Sequence, residues 1–342
     1  MIFGWDLGGA HVKLAVLDRE GRLSQVLQVP CELWMGLDRL ESVLAQMLGG
    51  HAHNAVHAVT MTGELADVFP DRAAGVAAIA QTFVRMARAP DVMLFAGDGF
   101  VEAAQASVRW AQIASANWLA AAQLAARLVP QALMIDVGST TTDIALVAEG
   151  KVRAQGGDDR ARLAREELVY TGVVRTPLMA IAQRVPFAGE WVGVMAEHFA
   201  TAADVYRITA QLDAAFDQAR TADGRGRSKE ESMQRLARMI GCDFAQAPAR
   251  EWQRLARWLA DAQLRQVRCA CDRQLSRGLL DEDAPVVGLG VGRFIAAQIA
   301  AQLGREYVDF AGLAGAGPEH VAAVDVCGPA FAVARLARNA RC

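Results

Sequence analysis

Two short stretches set carboxylates beside glycine and hydroxyl residues: Asp6 to Lys13 reads DLGGAHVK, and Asp136 to Asp143 reads DVGSTTTD. In each, an Asp at the end of an apolar run is followed by a glycine that lets the backbone turn without a Cβ clash. The N–H groups of Gly8 and Gly9, and the N–H and hydroxyl groups of Gly138, Ser139, Thr140 and Thr141, can then converge on an anion such as a phosphate. One such hairpin alone reads as an ordinary turn. Two of them, one opening each half of the chain, point to a pair of phosphate cradles. Lys13 adds a positive point charge for a phosphate oxygen. Asp6, Asp136 and Asp143 facing one cleft would repel one another, and a Mg2+ ion that keeps several waters would compensate them.

Other residues offer weaker chemistry. VVGLGVGRF, from Val286 to Phe294, places Gly288, Gly290 and Gly292 between a strand and a helix. Their G-x-G-x-G spacing is not the dinucleotide fingerprint, so the stretch reads as the nucleotide-side loop of another fold. In YTGVVRTP, Tyr170, Arg175 and Thr176 share a loop, where Arg175 either clamps a carboxylate or phosphate or makes a surface ion pair. Asp204 and Arg207 stand three apart in ATAADVYR, the spacing of a helical ion pair. TADGRGRSK contains Asp223 and Lys229 and reads as a lid over an anionic substrate or as a solvated loop ahead of a helix. Asn117 is polar on an apolar helix, either a buried cap or a substrate contact. The histidines of HAHNAVH (His51, His53 and His57) read as a solvated turn running into a strand, not a metal site. Cys269 and Cys271 point to different helix faces and make a poor metal pair.

The elements that must position these groups follow an alternating pattern. IFGWDLG, VKLAVLD and SQVLQVP are three strands joined by tight turns. LDRLESVLAQML is a helix stopped by two glycines, and AVHAVTMTGE and DVMLFAGDG are strands flanking the helix AAGVAAIAQTFVRMAR. After an Ala-rich helix ending before Pro130, the opening pattern restarts with ALMIDVG, TTTDIALVAEG and KVRAQGG. From about Glu166 to Leu280 the pattern turns helical, with a capping box at Ser228 and Glu231 and an apolar stripe of Met233, Leu236 and Ile240. A second helix in this stretch carries Trp252, Leu255, Leu259 and Ala262 on one face, with Trp252 read as core. Strand, glycine turn, helix, strand and a closing helix after a Gly-Pro break complete the chain.

At 342 residues, 53% apolar and 21% charged, with a net charge of −3, the chain suits two domains of an ordinary enzyme. Nothing is basic enough for nucleic acid, and no run is long and apolar enough for a membrane span. The opening MIFGWDLGG lacks a secretory pattern, and the six scattered cysteines fit reduced thiols, so the cytoplasm is expected. A homo-oligomer is compatible with all of this.

Two Asp-Gly turns opening duplicated halves, a late glycine loop and a closing Gly-Pro-Ala helix resemble the two phosphate motifs, adenosine motif and second connecting motif of the actin, sugar-kinase and heat-shock-ATPase superfamily. More narrowly, FGWDLGGAHVK, FAGDG, ASANWLA, IDVGSTTTDI, ELVYTGVVRTPLMA, HFATAADVYRITAQL and TADGRGRSKEESMQRLARMIG resemble the methanofuran/methylofuran biosynthesis synthase family. That family is a hydantoinase/oxoprolinase-like branch linked to tetrahydromethanopterin one-carbon metabolism. The resemblance implies an α/β fold of duplicated ribonuclease-H-like, actin-like ATPase domains. The expected domains are residues 1–129 and 130–342, with the helical insertion at about 166–280 and a closing helix able to pack back on the first. It also implies a transferase that joins an aminomethyl-furanmethyl diphosphate to the phenol of a tyramine or tyrosine unit, usually γ-glutamylated, and releases diphosphate. On that expectation Gly8, Gly9, Lys13, Gly138, Ser139, Thr140 and Thr141 hold the diphosphate, and Asp6, Asp136 and Asp143 hold Mg2+. Asp136 is the first candidate to accept the phenolic proton and Asp143 the second. Asn117, Tyr170, Arg175, Asp204, Arg207, Asp223 and Lys229 would touch substrate. An ATP-dependent kinase or oxoprolinase-like enzyme, and a nucleotide-binding regulator, are the alternatives, because the same loops in the superfamily usually hold ATP.

Overall fold

The computed structural model describes residues 1–49 and 52–341. Gly50, His51 and Cys342 lie outside the described residues, and with them part of the expected glycine stop and of the histidine turn. The first sheet contains β1 (Ile2–Leu7), β2 (His11–Leu17), β3 (Leu23–Pro30), β4 (Val56–Met61), β5 (Val92–Phe95) and β6 (Phe100–Glu102), in the order β3-β2-β1-β4-β5-β6. The first three strands form an antiparallel meander, and β4 and β5 run parallel to β1. The second sheet repeats the plan. In it β7 (Ala132–Val137), β8 (Thr142–Ala148), β9 (Lys151–Val152), β10 (Leu168–Val169), β13 (Val286–Leu289) and β14 (Tyr307–Asp309) are ordered β10-β8-β7-β13-β14, with β9 also on β8. The chain is therefore an α/β protein with two ribonuclease-H-like sheets.

Between β10 and β13 lies a mainly helical region containing Ala202–Ile208, Lys229–Arg238 and the 27-residue helix Ala249–Leu275. It also holds a two-stranded hairpin, β11 (Arg184–Phe187) and β12 (Glu190–Gly193), so the stretch is not purely helical as expected. The capping box forms as read: Ser228 accepts from the Glu231 N–H while Glu231 accepts from the Ser228 N–H. Met233, Leu236, Trp252, Leu255 and Leu259 are core, whereas Ala262 is only half-buried. The closing stretch is two helices, Val321–Val326 and Gly328–Asn339, broken at Cys327. No helix among the described residues is long and apolar enough to cross a membrane.

Strand alternation decides which side chains reach the space between the sheets. Phe3, Trp5 and Leu7 of β1 share a core with the helices Leu37–Met47 and Arg72–Ala87, so Gly4 and Asp6 face the other way. On that second face packs the closing helix Gly328–Asn339, which also touches β2, β4 and the helix Asn117–Ala126. Its buried Phe331, Val333 and Leu336 contribute about 1.5–3 kcal/mol apiece. β7 behaves alike: Leu133, Ile135 and Val137 enter one core, while Met134 enters the core shared with the closing helix, leaving Asp136 on the inward face.

The contact at Gly4 is close enough to test. A Cβ there would overlap the Ala330 carbonyl oxygen and lie 2.7 Å from the Ala334 methyl. Gly4→Ala is therefore expected to lower stability by about 1–3 kcal/mol, the usual cost of overpacking, read as a lower melting temperature. An unchanged melt would mean that the closing helix shifts freely on β1.

Candidate active site

The two acidic hairpins meet. The carboxyl ends of β1 and β7 open on one cavity of about 500 Å3, lined by Asp6, Gly8, Gly9, Lys13, Asp136, Gly138, Ser139, Thr140, Thr141 and Asp143 together with Asn117, Tyr170 and Arg175. Register fixes the acids: Asp6 pairs across β1 and β2 with Lys13, and Asp136 across β7 and β8 with Asp143. Each loop is closed by one backbone bond, Gly8 N–H to His11 C=O at 3.0 Å and Gly138 N–H to Thr141 C=O at 2.8 Å. Pro329, in the first turn of the closing helix, lines the same cavity, so the positive end of a 12-residue helix dipole faces it.

The helical region braces the second loop from behind. The N–H groups of Val174 and Arg175 both donate to Ser139 C=O, at 3.1 and 2.8 Å. Gly172 lies so near that its missing Cβ would stand 2.7 Å from Gly138 C=O and overlap Thr140 N. Gln263, buried on the long helix, donates to Thr171 Oγ1 at 2.8 Å and Gly172 C=O at 2.9 Å and accepts from the Tyr206 hydroxyl at 2.7 Å. The amide's position therefore fixes the loop that faces the cavity.

Charge is distributed unequally among the three acids. Asp6 is 3% exposed, and Lys13 Nζ stands 3.6 Å from its Oδ2 while Oδ1 has no hydrogen-bond partner. Burial raises the Asp6 carboxyl against the pull of Lys13. Burial opposes charge on Lys13, but Asp6, Cys327 and Asp136 outweigh it, so its ammonium is held more firmly than usual. Asp143 carries the buried Arg162 guanidinium at 2.8 Å, which itself lies 3.8 Å over the Trp118 ring. Asp136 takes part in no ion pair among the described residues. Burial first, then Asp143, pushes it up to about 7 against Lys13.

Several expectations need correcting. Among the described residues no three His, Cys, Asp or Glu side chains converge to hold one ion, so Asp6, Asp136 and Asp143 are not a joint ligand set. The reason is that Lys13 occupies Asp6 and Arg162 occupies Asp143. A Mg2+ ion keeps most of its waters and needs only one or two carboxylates beside substrate phosphates, and of these three acids Asp136 fits that demand. Gly288, Gly290 and Gly292 line neither this cavity nor its neighbour. Their absent side chains are used in packing instead: Gly288 against Tyr307, Gly292 against Val137 and Val173, and Gly290, at φ +87°, where a Cβ would overlap Val137 C=O and stand 2.5 Å from Asp136 Oδ1.

Asp204, Arg207, Asp223 and Lys229 also lie off the cavity. Arg207 binds Asp217 at 2.7 Å and Asp204 at 3.0 Å, and the fully buried Arg235 binds Asp204 at 2.8 Å and Asp223 at 3.0 Å. This network holds the segment 217–223 in place; Lys229 is exposed at the start of the helix Lys229–Arg238. Asn117 opens the helix Asn117–Ala126 and faces Asp6.

Other cavity residues carried no readable signal. Ser115 lines it in a left-handed backbone conformation, φ +51°, and donates to the buried Glu64 at 2.7 Å, with Asp159 3.3 Å from the same hydroxyl. A non-glycine residue held there is a mark of constraint at functional sites. Burial pushes Glu64 up to about 7 despite the Ser115 bond. Asp159 in turn accepts from Arg72 at 2.5 Å, tying the two halves across the cleft rim. His11, pushed down to about 4 by burial, Lys13 and Arg175, is a neutral imidazole on the wall.

The chain is 29% identical over 292 residues to the (4-{4-[2-(gamma-L-glutamylamino)ethyl]phenoxymethyl}furan-2-yl)methanamine synthase of Methanocaldococcus jannaschii, covering 85% of this chain and 86% of the relative. The enzyme of the same name from Methanococcus vannielii is 32% identical over 119 residues, 35% of this chain and 53% of that protein. Among solved structures, nucleotide-free acetone carboxylase shares the fold with a TM-score of 0.59 at 10% identity, over 98% of this chain and 70% of that one. The hydantoinase/oxoprolinase family model matches residues 55–324, and the chain belongs to that family.

Proposed function

We propose that the chain is a transferase of methylofuran assembly that condenses an aminomethyl-furanmethyl diphosphate with the phenol of a tyramine- or tyrosine-derived acceptor. One observation carries the reading beyond the relatives' names: two glycine- and hydroxyl-bearing loops, Lys13 and a helix N-terminus line one cavity with Asp6, Asp136 and Asp143, and of these three acids Asp136 alone has no ion-pair partner among the described residues. Such a site suits a leaving group of two phosphates and an acceptor that must shed one proton. In the reaction, a phenolic oxygen lone pair forms the new bond to the furanmethyl carbon. The bond from that carbon to the phosphate oxygen breaks, and its electron pair departs on diphosphate. The furan ring oxygen stabilises the positive charge growing at the carbon, and the phenolic proton passes to Asp136. Phenols ionise near pH 10, so a positioned carboxylate is needed at neutral pH. Gly9, Lys13, Ser139, Thr140 and Thr141 would hold the diphosphate oxygens, while Gly8 and Gly138, whose N–H groups already bond His11 and Thr141 C=O, shape the turns. A bound Mg2+ would neutralise charge on those oxygens, with Asp136 as its protein ligand where it is not the base.

Incubation with magnesium and the furanmethyl diphosphate plus a phenol is expected to release diphosphate in step with aryl ether, and ATP to be left intact. ATP consumption without ether would replace this reading by a kinase or oxoprolinase-like one. Release of neither anion would favour a nucleotide-responsive regulator.

A further inference from the structure

We infer that Glu64 and Ser115 are positioning residues: one hydroxyl, shared between a carboxylate from each half of the chain, sets how the two glycine loops meet. What the loops hold rests on the reaction proposed above; the contact itself does not. Ser115 Oγ stands 2.7 Å from Glu64 Oε1 and 3.3 Å from Asp159 Oδ2. A hydroxyl has one proton to donate, so it serves one carboxylate at a time. Glu64 is 1% exposed, and its Oε2 has no hydrogen-bond partner among the described residues. Each carboxylate is tied to one loop. The N–H groups of Thr62 and Gly63, beside Glu64, donate to Leu7 C=O at the end of β1, at 3.1 and 3.0 Å, and Asn117, two residues after Ser115, faces Asp6. Asp159 opens the helix Asp159–Ala164, and one turn on Arg162 holds Asp143 at 2.8 Å beside the second loop.

The proton on Glu64 decides which way the hydroxyl donates. While Glu64 is ionised, Ser115 donates to it, and two like charges from opposite halves face one another across the cleft rim. Asp159 is then left with Arg72, 2.5 Å away. Once Glu64 takes a proton, it donates to Ser115 and Ser115 donates to Asp159, so an unbroken chain of hydrogen bonds joins the halves and the repulsion ends. Burial favours that proton against Ser115 and Arg72, Asp159 adds to it, and Glu64 is pushed up to about 7. Nearby, Asp67 lines the same cavity, and Asp71 is taken up by the Ala74 N–H at the start of the helix Arg72–Ala87. That helix braces Glu64 from behind, since a Cβ on Gly75 would stand 2.4 Å from Glu64 C=O. With Glu64 braced and Ser115 constrained at φ +51°, the change of proton falls on Asp159 and the helix it opens. The joined arrangement is full at low pH and lost as pH rises through about 7.

Calorimetric titration of the full chain with inorganic diphosphate and magnesium, at about pH 6 and about pH 8.5, tests the assignment. Glu64→Gln, whose amide is a permanent donor like the protonated acid, is titrated in parallel so that ionisation of the ligand cancels in the ratio. The two proteins are expected to bind alike at the lower pH, and the wild type about 10-fold more weakly than Glu64→Gln at the higher, the worth of a hydrogen bond to a charged group. Ser115→Gly, which suits the left-handed backbone, should bind about 10-fold more weakly than Glu64→Gln at both, and adding Glu64→Gln to it should restore nothing. A ratio of wild type to Glu64→Gln that stays constant with pH, or restoration without the hydroxyl, would overturn the assignment. Melting temperatures of Ser115→Gly, Asp159→Asn and the double variant separate it from the reaction. Non-additive losses at the lower pH with additive losses at the higher would keep the shared hydroxyl even if diphosphate did not bind, an outcome that would retire the reaction. Additive losses at both would overturn it even if diphosphate bound tightly.

Discussion

Replacing Asp136 by Asn is expected to cut turnover by about three orders of magnitude, within the span of general-base removals, while sparing the fold. The carboxylate is the only acid of the three without a cationic partner, and Lys13 and Arg162 hold the other two as ions. Asn keeps the shape of the side chain beside Gly290, where even a Cβ would stand only 2.5 Å from Oδ1. Stability should move in the opposite direction to activity. The Asp136 carboxyl is raised from 3.8 to about 7, chiefly by burial and then by Asp143. A group raised in the folded state contributes stability that is full below its unfolded value and lost as pH rises through its folded value. The wild-type protein therefore carries a buried charge at its own cost at about pH 8, and Asp136→Asn should melt at the same temperature or higher there. Product formation at saturating substrate and thermal melts at the two ends of this window check both halves. Turnover within tenfold of wild type would remove Asp136 from the chemistry, and a lower melt at high pH would mean that its charge is compensated after all.

The paired hairpins were legible because each rests on local rules. An apolar run ending in Asp-x-Gly dictates a strand and a tight turn, and period-two alternation then sends Asp6 and Asp136 to the inward faces of their sheets. The capping box at Ser228 and Glu231 was equally local. Signals that depend on distant partners were not legible. Nothing near Asp143 announces Arg162, whose guanidinium arrives from the helix Asp159–Ala164 and turns a candidate base into half of an ion pair. The late glycines promised a ligand loop, yet their freedom is used to let one backbone cross another beside Asp136. Asp204 and Arg207 showed the spacing of an ion pair and made one, but the chain gave no hint that Asp217 and Arg235 would extend it into a buried network. The hairpin of β11 and β12 did leave a trace: Ala188 and Gly189, both at positive φ, sit between RVPF and EWVG. That turn pair, flanked by β-favouring residues, is the signal that a helical reading of the insertion overrode.

Lys13→Met should expose the other side of the same electrostatics. Lys13 is the sole ion-pair partner of Asp6 among the described residues, at 3.6 Å, and Asp6 is 3% exposed. Breaking a buried pair by removing one member leaves an uncompensated charge, at a cost of about 3 kcal/mol. Turnover should fall by about 10²-fold or more as well, since a positioned charge on the departing phosphates is lost. The pH dependence separates the two effects. Burial raises the Asp6 carboxyl and Lys13 pulls it down, so the substitution raises it further. A raised carboxyl contributes stability that is complete below its unfolded value of 3.8 and lost as pH climbs through the folded value. The deficit of Lys13→Met should therefore be largest near neutrality and shrink toward about pH 4. Adding Asp6→Asn should restore the melting temperature at neutral pH, because the orphaned charge is gone, and leave turnover as low as in the single variant. If the double variant regained activity, Lys13 would matter only as a counter-ion for Asp6. If the single variant melted like wild type at every pH, Asp6 would be protonated in the folded protein and the pair would not exist in solution.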